Sequence, residues 1–362
     1  MPSSIRWIAL LLATAALSAC GDDATTGTDA AEVFRAPGPY VAGVTTVELG
    51  ERDVEIWYPV DPGDQGSRPR DQYFIRDWLP DVIDALLPAD ANPPFVTDAY
   101  RNAPASEAGP FPLVVFAHGA ASFRMQSTFL TTHLATWGFV VVSPDYLERG
   151  LGNALGQPPA EPLPDVEVTR AAVNLAKAEN ARGGGLLEGR IAADRIAITG
   201  HSAGGGSSFR FASEPDVVTY IPMSAGSRAD ASEFPNTPSM WLTGDIDAVA
   251  SVDGLIAAFD AAPSPARLVL VNDAGHLGPS DLCAIGAEGG GVVQIAIDAG
   301  LPVPESLQRL GTDGCQDDAL DPEPGWEVFN HFVTAQLRWA FGLSNGVESE
   351  LPGATAYQYR EK

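Results

Sequence analysis

The stretch Arg195–Gly206, RIAITGHSAGGG, decides how this chain folds. Its first half is a short apolar run that predicts a buried strand, and its second half consists of small residues suited to a tight turn and a helix start. Residues 200–204, GHSAG, form the G-x-S-x-G pattern in which a sharp strand-to-helix turn holds a serine Oγ clear of the strand end. The alternative is a glycine-rich turn with a helix-capping serine. The strand-to-helix context favours Ser202 as a nucleophile.

A serine nucleophile needs a base, and the chain contains 5 histidines. His276 follows the apolar run Arg267–Val271, where the chain order serine, acid, histidine places the base. The remaining histidines are not expected to act as the base. His201 lies in the turn with its side chain pointing away, and His118 is expected to be a hydrogen-bonded structural residue. His133 lies in a predicted helix over 126–136, and His331 lies off the buried stripe of a C-terminal helix, in solvent or at a rim. His276 is the candidate base.

An acid that orients the base should lie between residues 202 and 276, after a strand. The run Ser239–Thr243 predicts that strand, and Asp245 and Asp247 follow it. Either aspartate could instead cap a helix that begins near residue 248. We favour Asp247 as the acid and keep Asp245 as the alternative.

Two backbone N–H groups are expected to stabilise negative charge on a substrate oxygen. One belongs to the residue after the nucleophile, Ala203, and the other normally comes from a loop after an earlier strand. That loop follows the run Leu113–Ala117, and the flexibility of Gly119 would let the next amide turn inward. Ala120 and Ala203 are therefore the predicted oxyanion-hole residues.

Apolar runs alternate with helical segments through most of the chain. Predicted strands cover 113–117, 139–143, 195–199, 217–223, 239–243 and 266–271, with helices such as Val166–Ala178 between most of them. This alternation predicts an α/β fold with a mainly parallel sheet covered by helices on both faces. Thr45–Leu49 and Val54–Tyr58 predict an antiparallel hairpin at its beginning.

Two regions rich in proline or glycine, Asp61–Pro112 and Pro279–Gly325, interrupt the alternation. We expect both to lie at the carboxyl edge or on the flank of the sheet, where pockets form in such folds. Within the first region, apolar residues at helical spacing predict a helix over residues 78–87. That helix could be a lid or a lipid-facing surface; a helix that covers the flank of the sheet is the favoured interpretation.

The N-terminus is typical of an exported protein. Residues 1–19 combine Arg6 with an apolar run too short to span a bilayer. Leu17–Cys20, LSAC, looks like a lipobox, which implies cleavage before Cys20, lipid attachment there and an anchor in a bacterial cell envelope. Ordinary signal cleavage nearby is the alternative. We expect a flexible tether over 20–40, one domain over 41–343 and a fraying polar tail over 344–362.

Charge and cysteine content narrow the possible partners. The net charge of −26 argues against nucleic acid and against electrostatic docking on anionic lipid. Export would allow a disulfide between Cys283 and Cys315, the alternative being two free thiols. The cysteines and scattered histidines show no metal-ligand spacing, so no metal is predicted, and the proposed chemistry needs no cofactor.

Several segments together resemble a group of α/β-hydrolases that contains platelet-activating-factor acetylhydrolases, chlorophyllases and bacterial polyester hydrolases. They are VEIWYP at 54–59, LVVFAHGAASFR at 113–124, HLATWGFVVV at 133–142 and RIAITGHSAGGG at 195–206. The resemblance spans roughly residues 42–343. It implies the α/β-hydrolase fold, a triad of Ser202, Asp247 and His276, and oxyanion donors at Ala120 and Ala203.

One departure from this group bears on the substrate. Polyester hydrolases carry an aromatic clamp after the strand that follows the nucleophile helix, but here that strand leads into residues 224–227, SAGS, without an aromatic. The expected activity is hydrolysis of carboxylic esters through an acyl-enzyme, with short-acyl esters first, then oxidised or short-chain phospholipids, then polyesters. A catalytically silent surface-binding lipoprotein and a peptidase or acyltransferase are the alternatives. The oligomeric state is left open.

Overall fold

A ten-stranded sheet forms the centre of the computed structural model, which describes residues 33–225 and 233–362. Its strands are β1 (Val41–Leu49), β2 (Arg52–Val60), β5 (Ala99–Arg101), β6 (Phe111–Ala117), β7 (Val140–Pro144), β8 (Ile191–His201), β9 (Val217–Met223), β10 (Ser239–Gly244), β11 (Ala266–Val271) and β12 (Tyr357–Glu361). Their spatial order is β12-β11-β10-β9-β8-β6-β7-β2-β1-β5. A separate ribbon pairs β3 (Gln72–Tyr73) with β4 (Phe95–Val96).

Parallel pairing dominates the sheet. All neighbours from β7 through β6, β8, β9 and β10 to β11 are parallel, whereas β2 is antiparallel to β1 and β7. The predicted N-terminal hairpin is therefore confirmed as β1 and β2. Because parallel strands share a direction, the loops after β6, β8, β10 and β11 all emerge at one edge of the sheet.

Helices cover both faces of the sheet. The helices of the described residues are α1 (Asp81–Asp84), α2 (Thr128–Thr136), α3 (Leu151–Ala154), α4 (Asp165–Ala181), α5 (Ala203–Phe211), α6 (Val252–Ala261), α7 (Gly291–Asp298), α8 (Glu305–Leu310) and α9 (Pro322–Ala340). Of these, α2, α4, α5, α6 and α9 pack on the sheet. Apolar side chains of α4, α5 and α6 join one buried cluster, and those of α2 and α9 join another on the opposite face. The predicted three-layer α/β-hydrolase architecture is confirmed.

Both predicted ends of the domain need correction. The tail does not fray, because β12 pairs antiparallel with β11 and its two tyrosines pack on Phe332, with ring centroids 5.1 and 5.6 Å away. At the other end, Phe34 is buried against Trp137 at 4.9 Å, so packing begins before the predicted boundary at residue 41. The predicted signal segment and Cys20 lie outside the described residues.

The predicted helix over residues 78–87 is also wrong. A 3₁₀ turn over Ile75–Trp78 ends at Leu79, and α1 starts only after Pro80. Proline disfavours helical geometry in the residue before it, and Leu79 is extended, with φ −81° and ψ 144°. Among the described residues, no helix is both long and apolar enough to cross a bilayer.

Candidate active site

Ser202 occupies a strained turn between β8 and α5. Its backbone has φ 55° and ψ −120°, a region that side-chain-bearing residues seldom adopt. The chain can make this turn because its neighbours are small: a Cβ on Gly204 would overlap the Ala117 carbonyl, and one on Gly200 would overlap the Gly204 carbonyl. The strand-to-helix turn expected from the GHSAG pattern is thus present.

Ser202, His276 and Asp247 form one hydrogen-bonded line. The Ser202 hydroxyl lies 3.0 Å from His276 Nε2, placed to donate to it. On the other side of the ring, His276 Nδ1–H points at the Asp247 carboxylate, 3.0 and 3.1 Å from its two oxygens. The imidazole of His276 has no exposed surface. Three residues separated by up to 74 positions therefore meet in the arrangement of a nucleophile, a base and an orienting acid.

The two aspartates kept as candidate acids are placed differently. Asp247 Oδ1 also accepts hydrogen bonds from the N–H groups of Val249 and Ala250, at 2.9 and 2.7 Å. Burial raises the pKa of Asp247, but the hydrogen bond and charge of His276, with these two amides, outweigh it and leave the pKa below its usual value. Asp245 instead accepts from the Asp273 N–H at 2.7 Å. Of the two carboxylates, the structure brings Asp247 to His276.

The predicted oxyanion loop runs directly against the nucleophile. A Cβ on Gly119 would lie 3.3 Å from the Ser202 Cβ and 3.2 Å from His201 Nδ1. Ala120 comes next in the chain and lines the same cavity as Ser202. Ala203 is the first residue of α5, so its N–H has no acceptor within its own helix. Ala203 therefore lies in the turn that carries Ser202, and Ala120 lies in the loop that faces the same cavity.

Gln126 ties this loop to the backbone of His276 and was not among the predicted site residues. Its Oε1 accepts the Gly119 N–H at 2.7 Å, and its amide NH₂ donates to His201 Nδ1. In turn His201 Nε2–H donates to the backbone carbonyl of His276 at 2.8 Å. Burial lowers the pKa of His201 to about 3, so the ring stays neutral and can both accept and donate. No sequence pattern around Gln126 marks this role.

The other histidines are structural, and one expectation about them fails. His118 Nε2 accepts the Tyr146 N–H at 2.9 Å, which agrees with the predicted structural role. His331 was expected in solvent or at a rim, but it has no exposed surface. It accepts the Phe34 N–H and donates to the Glu348 carbonyl, both at 3.1 Å. Segments far from α9 in sequence cover this side of the helix, which its own periodicity could not indicate.

A disulfide joins Cys283 to Cys315, as predicted, across a sequence separation of 32. The loop it closes returns to the site through Asp313. One oxygen of Asp313 accepts the His276 N–H at 2.6 Å, and the other accepts the Ala248 N–H at 3.2 Å. Asp313 therefore links the backbones of the loops that carry His276 and Asp247. In the sequence only its place two residues before Cys315 sets Asp313 apart, and it was not predicted as a site residue.

A largely apolar cavity of about 260 Å³ opens beside Ser202. Its floor is the loop 119–123 with His201, Ser202 and His276, and its walls come from residues 75–93 and 277–311. Leu79, Ile83 and Leu87 line it, so the segment predicted to cover the flank of the sheet instead forms part of the cavity wall. Within the described residues, no group of three or more histidine, cysteine or acidic side chains is placed to hold a metal.

Comparisons with known proteins give a match to a family model and matches to curated proteins. A family model described as PET hydrolase-like matches residues 100–277. Bis(hydroxyethyl) terephthalate hydrolase of Streptomyces coelicolor is 29% identical over 145 residues, which cover 40% of this chain and 42% of that protein. Cutinase 1 of Thermobifida cellulosilytica is 29% identical over 140 residues, 38% of this chain and 49% of that protein.

The chain thus spans less than half the length of each of these two curated relatives. The matched range runs from β5 to just beyond His276 and leaves most of both cavity walls outside it. From the sheet order, the strand-to-helix turn at Ser202 and these matches, we conclude that the chain has the α/β-hydrolase fold.

Proposed function

We propose that the protein is a serine hydrolase of carboxylic esters. The hydrogen-bonded line from Ser202 through His276 to Asp247, opening onto an apolar cavity, carries this proposal. Two relatives bear the names of ester-cleaving enzymes, which supports the same reaction class. A silent binding protein would have no use for a buried imidazole held at hydrogen-bond distance from both partners.

In the first half of the reaction, Ser202 Oγ attacks the ester carbonyl carbon while His276 Nε2 takes its proton. Asp247 stabilises the resulting imidazolium, and we infer that the N–H groups of Ala120 and Ala203 donate to the oxyanion. The carbon–oxygen bond to the alcohol then breaks, and the alcohol leaves with the proton from His276. The acyl group remains on Ser202 as an ester.

Water completes the cycle through the same residues. His276 removes a proton from water as its oxygen attacks the acyl carbon, and the bond to Ser202 Oγ breaks. The serine recovers its proton and the carboxylic acid departs. No redox step and no cofactor enter this scheme.

The test uses p-nitrophenyl acetate, butyrate, octanoate and palmitate with the protein lacking residues 1–20. We expect ester hydrolysis in the parent, a loss of at least about 10³-fold in Ser202→Ala, and parent activity in Ser251→Ala. Ser251 is a matched serine that caps α6 through the Gly254 N–H, outside the site. Absence of hydrolysis from the folded parent protein would overturn the proposal.

Hydrolysis must also be distinguished from acyl transfer on the same residues. Product analysis in the presence of a competing alcohol or amine answers this. We expect the free carboxylic acid to remain the main product, since water is the proposed acyl acceptor. A transferred ester or amide as the main product would identify an acyltransferase instead.

We further propose that the protein is exported and held at a bacterial membrane by lipid on Cys20. The Leu17–Cys20 pattern supports this location, and the Cys283–Cys315 disulfide fits an oxidising compartment. Metabolic labelling with an alkyne fatty acid should mark the full chain and spare Cys20→Ser. Equal labelling of both would contradict lipidation at Cys20.

A further inference from the structure

The walls of the cavity beside Ser202 are built by two segments that lie almost wholly outside the matched range of residues 100–277. The first wall, residues 75–93, contributes Leu79, Ile83 and Leu87. The second wall, residues 277–311, contributes Ile295 and Leu307 among others. The matched range thus contains the floor, with Leu151 of α3 and the adjoining Leu155, whereas nearly all of both walls lies outside it.

The lining of this cavity is aliphatic. Among the 33 lining residues, Phe123 is the one Phe, Tyr or Trp, and most of the others from the two walls are leucine, isoleucine, valine, alanine or proline. Aromatic substrate rings gain from stacking on aromatic side chains, which these walls do not offer. Flexible hydrocarbon gains from any apolar burial, by about fourfold in binding per methylene group.

Both walls are fastened to each other and to the site. The Tyr73 hydroxyl, next to the first wall, donates to Asp281 in the second wall at 3.0 Å. Asp281 also accepts the N–H groups of Thr128 and Phe129 at the start of α2, at 2.7 and 3.1 Å. Trp78 of the first wall stacks on Phe123 of the floor, with ring centroids 4.3 Å apart. The cavity is therefore preformed.

A disulfide and a backbone hydrogen bond also hold the second wall in place. The Cys283–Cys315 disulfide encloses most of it, and the Leu277 N–H donates to the Asp313 carbonyl at 2.9 Å. A long polymer has chain on both sides of the bond to be cleaved and needs an open path past the serine. Two fastened walls favour a substrate that inserts one end.

We propose that the two walls make an acyl chamber that selects monomeric esters of medium-length aliphatic acids over polyesters and over acetyl esters. This inference rests on the proposed ester hydrolase activity. An acetyl group would contact only the floor near Ser202. An octanoyl chain would reach the side chains of both walls, and that contact persists in the transition state, so it raises kcat/KM.

The experiment measures kcat/KM for the p-nitrophenyl esters from acetate to palmitate, and the release of acid from a polycaprolactone film. We expect a rise of at least about 100-fold from acetate to octanoate, given about fourfold per methylene. Film hydrolysis should remain at background. A kcat/KM that stays flat or falls from acetate to octanoate would overturn the proposed chamber. Film hydrolysis at a rate comparable to that of octanoate hydrolysis would do the same.

Two variants locate the effect in the walls. Ala296→Trp fills the cavity from the second wall, and Ile83→Trp enlarges a side chain of the first wall. Each should lower octanoate kcat/KM at least about tenfold and leave acetate within about twofold. Ala287→Trp is the matched control, because Ala287 is exposed in the same segment and outside the lining. Equal losses on both esters, with unchanged thermal unfolding, would contradict the proposal.

The outcomes separate this inference from the proposed function. If acetate is hydrolysed, Ser202→Ala abolishes it and the profile is flat, the ester hydrolase assignment stands and the chamber fails. If no ester is hydrolysed and a fluorophosphonate does not label Ser202, both fail together.

Discussion

At the scale of single residues, a chain of hydrogen bonds connects the oxyanion loop to the base. Gly119 donates to Gln126, Gln126 donates to His201, and His201 donates to the carbonyl of His276. In the proposed reaction neither Gln126 nor His201 takes a proton or holds the oxyanion, so both are positioning residues. Their effect is to fix the distance between the oxyanion donors and the imidazole.

Replacing Gln126 should therefore harm turnover more than binding. In Gln126→Ala the Gly119 N–H loses its acceptor and His201 loses its donor, which frees the loop. We expect kcat on p-nitrophenyl butyrate to fall about tenfold with KM within about twofold. Gln294→Ala is the control, since Gln294 bonds only the exposed Asp298. A pure KM effect, or unchanged kinetics, would contradict the positioning role.

The turn at Ser202 makes a second prediction at this scale. A Cβ on Gly204 would overlap backbone, so Gly204→Ala should destabilise the fold by roughly 1–3 kcal/mol and abolish activity. Gly206→Ala, two residues further along α5, meets only the flexible end of Arg210 at 3.3 Å. That variant should keep activity and gain up to about 1 kcal/mol. Urea unfolding of both variants provides the check; equal stabilities would contradict the steric argument.

At the scale of elements, the segment between Cys283 and Cys315 both lines the cavity and supports the site loops. It lines the cavity and, through Asp313, holds the backbones of the loops that carry His276 and Asp247. Most of its residues do not belong to the sheet or to the helices that cover it. The cross-link, a few hydrogen bonds and the packing of Ile285 in the core hold it in place.

Removing the cross-link should loosen this segment. The double variant Cys283→Ala, Cys315→Ala should lose about 3–4 kcal/mol of unfolding free energy, because the bond closes a loop of about 32 residues. Octanoate hydrolysis should suffer more than acetate hydrolysis, since the wall contacts only the longer chain. Urea unfolding and the two ester rates provide the measurements. An unchanged ratio of octanoate to acetate hydrolysis would show that the disulfide does not support the acyl chamber.

The elements show which features local sequence reveals. The strand and turn around Ser202 could be predicted because apolar runs and small residues determine them locally. Pro80 also predicts a helix break, but the apolar spacing over 78–87 favoured one continuous helix. The edge strand β12 was missed, since YQYRE looks polar until its tyrosines meet α9.

At the scale of the whole molecule, burial of histidines sets the response to acid. Burial lowers the pKa of His118, His133 and His201 from 6.5 to about 3 and that of His331 to about 4. The unfolded chain takes up these protons below pH 6.5, whereas the folded protein does not until the pH is far lower. The stability that depends on these four histidines remaining neutral is therefore present above pH 6.5 and is lost as the pH falls towards 3.

This linkage can be measured one residue at a time. Each neutral buried histidine should cost up to about 2 kcal/mol of unfolding free energy between pH 6.5 and pH 5. His133→Leu should reduce that pH dependence, because its buried Nε2 has no hydrogen-bond partner among the described residues. Urea unfolding at pH 7 and pH 5 tests this. An identical difference in the parent and in His133→Leu would contradict it.

Only part of the candidate site could be predicted from the sequence. Ser202, Asp247 and His276 each follow a recognisable strand, and the parallel sheet brings their loops to one edge. Gln126, Asp313 and the covering of His331 by Phe34 depend on contacts between segments far apart in sequence. Such contacts leave no local pattern, so they emerge only from the folded chain.

The most direct test of the central claim is the mass of the protein lacking residues 1–20 after reaction with a fluorophosphonate. The account predicts a single adduct, located on the peptide that contains Ser202, formed much more slowly in His276→Asn and absent in Ser202→Ala. An unlabelled folded protein, or an adduct on another residue that survives Ser202→Ala, would contradict the assignment of Ser202 as the nucleophile.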